Sequence, residues 1–581
     1  MNNTDNQSAG KVTDTFDKYF RVIASHPYLC VFALCVVLTP LFFGSLWLMP
    51  AYTIYIALAL SVAALSVFVW KKCVKKGLPV VTRVLLLIAS SAALSLGAWA
   101  FSRSDFKILW IFLTGCMAIS AVYSVFYRSG YKRQFNSALI MALGFLVRFC
   151  YVLCTESWNR QHDIGYFSTS ETVPGHLGYI SYLYQNHSLY QEDYRWMFQY
   201  CHPPLHHSIG AVWVTIWKDL FRFGEEKAVE SLEMLTLFYS ACILISAYYI
   251  LRHFRLEGKS LYVPLLLVSF HPCFTYLATF LNNDALMWAF VMGAVLGTLR
   301  WYSEPSLKNI MKISLCIGLG MMTKLSAALI APPVAMVFLV VLIRKRKTLW
   351  KKLVGQFAAF GAVCVPLGMW FPVRGLLRWG IPLTYVQELP QGMDQELHGM
   401  TFIERITDFR LIQFSNVFED WMYHDEYGNE VSFNEHNPLI AILKNSVFSE
   451  FIREWDFDGM EYALPLCKAL FWLGVILAAA AFAAMIYIFI RDRSMDTVQK
   501  LFFGSYYVLL VGNLYMMSAK YPLVCTMNFR YLMPTVVTGA LFIGLFMKKK
   551  NNRYTDPAAV VSVTAFSALS ALVYLLVGQA S

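Results

Sequence analysis

Residues 463–490 read ALPLCKALFWLGVILAAAAFAAMIYIFI, an apolar run interrupted by one charge, Lys468. About 20 such residues, rising 1.5 Å each, cover the roughly 30 Å hydrocarbon core of a bilayer. The run therefore predicts a membrane-crossing helix, because lipid offers the backbone no partners and only helices or closed barrels span it. Runs of similar character recur along the chain. Of its 581 residues, 58% are hydrophobic and only 14% charged, and the mean hydropathy is +0.51. An ordinary soluble domain carries about 25% charged residues, so a water-soluble fold is excluded.

Working outward, spans are expected near Tyr28–Leu48, Tyr52–Trp70, Val84–Trp99, Ile108–Tyr127 and Ala138–Cys154. Others follow near Met234–Leu251, Leu261–Phe280, Ala285–Leu299, Ile313–Met322, Leu325–Ile343 and Leu353–Phe371, and the last near Ala463–Ile490, Leu501–Met517, Leu532–Met547 and Ala558–Val577. The first 27 residues are polar and the first apolar run is of full membrane length, which argues against a cleaved signal peptide. The prediction is an all-α polytopic bundle of about 15 spans.

Lys and Arg fall in short connections: Lys71 to Lys76, Arg128 to Arg133, Arg252 to Lys259, Arg344 to Lys352, Arg491 with Arg493, and Lys548 to Arg553. With a cytoplasmic amino terminus, all of these lie on the cytoplasmic side, as membrane insertion favours. The net charge of +12 then sets orientation, and nucleic acid is not an expected partner. Two long segments, Thr155 to Glu233 and Pro372 to Tyr462, fall on the opposite side, where chemistry is expected. The 13 Cys are scattered without a CxxC pair and read as buried free thiols.

Five polar points mark the non-cytoplasmic side. His162-Asp163 follows the fifth span. Tyr200-Cys201-His202-Pro203-Pro204-Leu205-His206-His207 predicts a helix start at the prolines, since proline suits a first helical turn, with a surface amphipathic run over Ser208 to Trp217. Asn282-Asn283-Asp284 joins two spans, where an Asp at a helix amino terminus is favoured by the dipole. Thr323-Lys324 ends a short run containing Gly318 and Gly320, and Asn528-Phe529-Arg530-Tyr531 precedes a late span. Together they put carboxylates, histidines and two cations near one membrane face, a set that suits a phosphate-bearing lipid substrate.

The order of these pieces resembles the polytopic glycosyltransferases of the GT-C fold, in particular bacterial relatives of protein O-mannosyltransferases and aminoarabinose transferases. The resemblance is carried by Arg148, His162-Asp163, Gly175-His176 with Tyr179-Ile180, Tyr200 through Leu205, Asn283-Asp284, Thr323-Lys324 and Arg530-Tyr531, over Asn136 to the carboxyl terminus. It implies transfer of a sugar from a polyprenyl phosphate-linked donor to a glycan, lipid or protein acceptor on the outer face of a bacterial plasma membrane. Asp163 would be the catalytic residue, acting as general base or orienting the acceptor. His162, His176, Tyr200, His202, His206 and Asp284 would contact substrate, and Lys324 and Arg530 would stabilise the departing phosphate. The division expected is a four-span addition over 1–135, a catalytic membrane core over 136–371 with its outer segment 155–233, a second outer segment over 372–462, and carboxyl-terminal spans over 463–581.

Two departures from relatives stand out. Ile164 follows Asp163 where a second acidic residue would mark the eukaryotic mannosyltransferases. No DxD element accompanies the first outer Asp, so a strongly metal-dependent mechanism is not expected. A zinc site on His202, His206 and His207 is the alternative reading of those histidines, although no HExxH occurs. From other functional classes, the competing readings are a transporter or flippase of a lipid-linked glycan and an inactive scaffold. Inverted repeats and mid-span charges would favour transport.

Overall fold

The computed structural model describes residues 20–43, 107–127, 129–387, 395–397, 399–424, 427–550 and 553–577, with a few isolated positions between 77 and 85. The spans expected at Tyr52–Trp70 and Val84–Trp99, and the basic cluster at Lys71 to Lys76, lie outside the described residues apart from those positions. Among the described residues the regular structure is helical, joined by irregular segments such as 153–175 and 187–204, save for one two-stranded antiparallel hairpin, Asp420–His424 with Glu430–Asn434.

Among the described residues, seven helical stretches are long and apolar enough to cross a membrane: Lys132–Val152, Glu225–His253, Asp284–Ser303, Leu325–Trp379, Ala463–Arg491, Thr497–Lys520 and Thr555–Val577. The helices Pro27–Phe42, Lys107–Phe126, Lys259–Phe270, Leu307–Thr323 and Pro534–Lys550 occupy further expected spans. The protein is therefore an all-helical, polytopic membrane bundle.

The expected pair Leu325–Ile343 and Leu353–Phe371 falls within a single helical stretch, Leu325–Trp379, whose α-helical part, Ala331–Trp379, is 49 residues long. That stretch is not straight. The rings of Phe338 and Phe357 stack 5.1 Å apart, whereas nineteen residues of straight helix measure about 28 Å. The chain must turn back between them, around the basic run Arg344 to Lys352, giving two packed legs. Leu307–Thr323 lies along the second leg, where Ser314 Oγ donates to the Phe360 carbonyl at 2.9 Å. Gly368 admits Met321 so closely that a Cβ there would meet its sulfur at 2.9 Å.

A second difference concerns the expected span Leu261–Phe280, which breaks after Phe270. His271 is extended, Pro272–Tyr276 forms one further turn, and the chain then runs irregularly to Asp284. Pro272 lacks the N–H that would have bonded to the carbonyl four residues back, that of Val268. Arg148 supplies the missing donor. It is fully buried, and its Nη2 donates to Val268 O at 3.1 Å and Ser269 O at 3.2 Å, while Nη1 donates to Ser240 O at 3.2 Å. Gly144, one turn earlier on the same face, makes this approach possible, since a Cβ there would lie 2.5 Å from Ser269 O.

The folded-back helix is directly testable. Cysteines replacing Phe338 and Phe357, in a chain cleared of other thiols, should join under a short bifunctional reagent. A continuous straight helix would leave the pair unlinked within one molecule.

Candidate active site

The segment after Lys132–Val152 carries Asp163 on a backbone held from several directions. Asp163 has φ +48° and Gly165 φ +62°, left-handed conformations that an L residue adopts only when surroundings impose them. The imposing partner is the amino terminus of the His176–Asn186 helix, whose first amides need acceptors. His176 N donates to Asp163 O at 2.9 Å and Leu177 N to Ile164 O at 2.8 Å. Gly165 and Gly175 touch here, and a Cβ on Gly165 would fall 1.9 Å from Pro174 O.

Two further ties lie just before Asp163, both to the segment before Ala463. Arg160 pairs with Asp456 at 2.8 Å, and His162 Nδ1 meets Glu450 Oε1 at 2.6 Å. The His162 ring is clamped between Phe280 and Phe451, at 4.7 and 4.6 Å between centroids. Glu450 also accepts from Asn528 Nδ2 at 2.8 Å. Burial alone would raise the Glu450 pKa, but His162, Arg530 and Asn528 override it and hold the carboxyl down at about 2. His162 is shifted below its ordinary value by burial first and by Arg530 second.

Asp284, Lys324 and Arg530 come together at the ends of three separate helices. Asp284 opens Asp284–Ser303, and its own N–H is received by Asn282 Oδ1 at 3.0 Å. Lys324 sits at the break after Leu307–Thr323, where Asn283 Nδ2 holds the Thr323 carbonyl at 3.0 Å. Its ammonium pairs with Asp284 Oδ1 at 2.6 Å, and Arg530 Nε stands 3.9 Å from Asp284 Oδ2. Trp288 Nε1 donates to Arg530 O at 2.8 Å, fixing the guanidinium's backbone. Burial opposes the charge on Arg530, yet Tyr531, Asp284, Glu450 and Asp163 together raise its pKa. Asp163 also interacts with Lys324. Asp284, Lys324 and Arg530 thus form one ion cluster.

His202 stacks against His176, with ring centroids 5.7 Å apart, and burial first, then Lys324, lowers its pKa. The helix predicted at the double proline forms as Leu205–Val214, capped by Pro204. It brings His206 and His207 inward beside His176. His176 Nδ1 meets His207 Nε2 at 3.0 Å, and His206 Nε2 donates to Leu281 O at 3.0 Å. Among the described residues, no group of three His, Cys, Asp or Glu side chains is disposed to hold a metal ion, so the geometry does not carry the zinc reading of His202, His206 and His207. Tyr200 is buried, stacks on Tyr179 at 4.3 Å, and gives its hydroxyl to the carbonyls of Val173 and Gly178. Through these bonds it braces the start of the His176–Asn186 helix.

Glu450, Asn528 and Tyr531 complete the site, and Glu450 was not legible as a site residue. Its only signal is a lone carboxylate after the apolar helix Pro438–Phe448. That helix also supports a buried network in which Lys444 pairs with Glu435 at 3.2 Å and Asn445 joins Glu419 to Met527 O and Phe529 N. Burial pushes the Glu419 carboxyl well above its usual range. A cavity of about 150 Å³ between Asn416, Trp421, Tyr423, Glu454 and Lys468 lies elsewhere in the second segment and shares no residue with the charge cluster.

With this geometry in place, comparison with known proteins is informative. Residues 207–370 match the model of a family described as dolichyl-phosphate-mannose-protein mannosyltransferase. The matched stretch holds Asp284 and Lys324. The chain is thus a polytopic helical membrane protein that is similar, over that stretch, to the family so described. Among solved structures it is similar to ArnT from Cupriavidus metallidurans bound to undecaprenyl phosphate, at 12% identity over 76% of each chain with a TM-score of 0.41. The apo form of that ArnT gives 14% identity over 76% of this chain and 77% of the other, with a TM-score of 0.30. No curated protein matches.

The histidine cluster predicts acid lability. Burial, aided by Lys324, lowers His202 to about 3, and burial lowers His206 to about 4, against about 6.5 when unfolded. Between those values the unfolded chain binds more protons, so this contribution is whole above pH 6.5 and is lost as pH falls towards 4. The thermal midpoint of the detergent-solubilised protein should drop between pH 7 and 4.5, and His206→Gln should make that slope shallower. A midpoint independent of pH over this range would refute buried neutral imidazoles.

Proposed function

We propose that this protein is a membrane glycosyltransferase that moves a sugar from a polyprenyl phosphate-linked donor to an acceptor on the outer, extracytoplasmic face of the plasma membrane. The observation that carries the reading is the meeting of Lys324 and Arg530 around Asp284, within electrostatic reach of Asp163. An ammonium has three donors, and Asp284 accepts from Lys324 at one 2.6 Å contact. Arg530 Nε is buried without a hydrogen-bond partner. A lipid phosphate presents oxygens to such donors, and the family match over residues 207–370 together with the undecaprenyl phosphate held by ArnT points to the same chemistry.

In this reading Asp163 accepts the proton of the acceptor hydroxyl as its oxygen attacks the anomeric carbon. The phosphate leaves on the opposite side with its electron pair, which gives inversion. Lys324 and Arg530 are worth most where that charge develops, because donors fixed beforehand need no reorganisation during reaction. Asp284 orients both cations and keeps them charged in a buried setting. The long segments 155–233 and 372–462 then face outward, opposite the basic connections.

Asp163→Asn keeps size and most hydrogen bonding but cannot take a proton. It should lower sugar transfer by about 10²–10⁴-fold, read by mass spectrometry of cell-envelope glycans and by turnover in isolated membranes, while undecaprenyl phosphate binding persists. Lys324→Ala should weaken that binding. A purified Asp163→Asn protein retaining more than about a tenth of wild-type turnover, well above what loss of a base allows, removes Asp163 from the base role.

Orientation has its own test. Single cysteines in 166–171, in a chain without other thiols, should react with an impermeant maleimide on intact cells. Reaction only after permeabilisation would place the site on the cytoplasmic side and defeat the lipid-donor argument.

A further inference from the structure

His162 differs from the other site imidazoles in how it is held. Its Nδ1 is engaged by Glu450, at 2.6 Å, and Glu450 is fixed in turn by Asn528. The carboxylate keeps the ring proton on Nδ1, which leaves Nε2 with a free lone pair. That Nε2 is buried and has no hydrogen-bond partner, and the whole residue is only 4% exposed. By contrast, His176 and His207 meet one another, and His206 is spent on Leu281 O. The two clamping rings, Phe280 and Phe451, fix the plane of the imidazole without offering it an acceptor or donor.

The charges facing His162 come from four parts of the chain. Glu450 and Asp163 favour its protonation and Arg530 opposes it, while Asp284, which opens Asp284–Ser303, also interacts with it. The imidazole therefore stands next in sequence to the proposed base, oriented by a carboxylate, with a basic nitrogen kept off solvent. This is the arrangement of carboxylate and imidazole that receives a proton and stabilises the resulting cation in acyl-transfer enzymes.

Resting on the reading of Asp163 as base, we propose that His162 and Glu450 form a proton-holding dyad that takes the acceptor's proton onward from Asp163. As the acceptor oxygen bonds to the anomeric carbon, the bond from that carbon to the phosphate oxygen breaks and the phosphate keeps the electron pair. The acceptor's proton goes to the Asp163 carboxylate and from there, across one bridging water, to His162 Nε2, which has no protein hydrogen-bond partner; it returns to solvent by the same route through Asp163, which is exposed. Asp163 is a carboxylate again, and the imidazolium is paired with Glu450 until the proton returns to solvent after product leaves. Storing the proton on the dyad restores a charged base without leaving a neutral acid beside Lys324 and Arg530. It also gives the second long segment a part in the reaction, because Glu450 comes from it.

The test uses the full-length protein in membranes, with turnover measured from pH 4.5 to 8.5 and undecaprenyl phosphate binding measured alongside. His162→Gln should lose roughly tenfold to a hundredfold in turnover, below the 10²–10⁴ of a removed base, and should lose the acid limb that protonation of His162 imposes. Glu450→Gln should shift that limb to lower pH, since removing the carboxylate lowers the imidazole's affinity for a proton. Binding of undecaprenyl phosphate should be unchanged in both. A purely structural tie between the two segments would lower thermal stability and leave the limb where it is. Wild-type turnover and an unmoved limb in both variants, with Asp163→Asn inactive, would overturn the dyad while leaving the base assignment intact. An active Asp163→Asn would instead remove the reading on which the dyad rests.

Discussion

Inside a bilayer every backbone carbonyl released from a helix needs a partner within the protein. The site depends on meeting that demand at one point, the break at His271-Pro272. Arg148 donates to Val268 O and Ser269 O, so the helix can stop after Phe270 and the chain can turn. The twelve residues from Pro272 to Asn283 then reach across to place Asn282, Asn283 and Asp284. Gly144 and Arg148, four residues apart, serve the break together: one lets the helices touch and the other bonds across the contact. Few side chains besides Arg extend several donors far enough to satisfy three carbonyls on two neighbouring helices.

The charge cluster follows from the same economy. Asp284 is fully buried, and a buried carboxylate is tolerated only with close counter-charges and hydrogen bonds. Lys324 at 2.6 Å supplies the first and the Asp284 helix start favours an anion at its amino end. Both charges sit where helices begin or end, so neither requires the lipid-facing wall to carry polarity. The ties Arg160 to Asp456 and His162 to Glu450 then fasten one long segment to the other just before Asp163, and the bond from Leu177 N to Ile164 O holds the backbone just after it. A carboxylate on a left-handed backbone, held on both flanks, is aimed by its surroundings and not by its own loop.

Much of this was legible before the structure. Asp163, His202, Asp284, Lys324 and Arg530 are polar residues at the ends of apolar runs, and the cost of membrane-edge charge predicts that they face one another. The bracing role of Tyr200 was not legible, because its two carbonyl partners, Val173 and Gly178, lie more than twenty residues away. Glu450 stayed hidden among the other acidic residues of the second segment, since nothing in its neighbourhood announces that His162 lies 2.6 Å away.

Taken alone, the sequence determined the membrane class, the helical fold and the places where spans end, because hydrocarbon thickness and backbone hydrogen bonding act on local runs of residues. It also marked which residue types were too polar to face lipid. Tertiary structure decided which of those ends meet, that the Leu261 to Phe280 run breaks, that Ala331–Trp379 folds back on itself, and that Glu450 completes the surroundings of Asp163. These are contacts between residues up to several hundred positions apart. Their energies depend on distance and burial in three dimensions, to which no local run of residues has access.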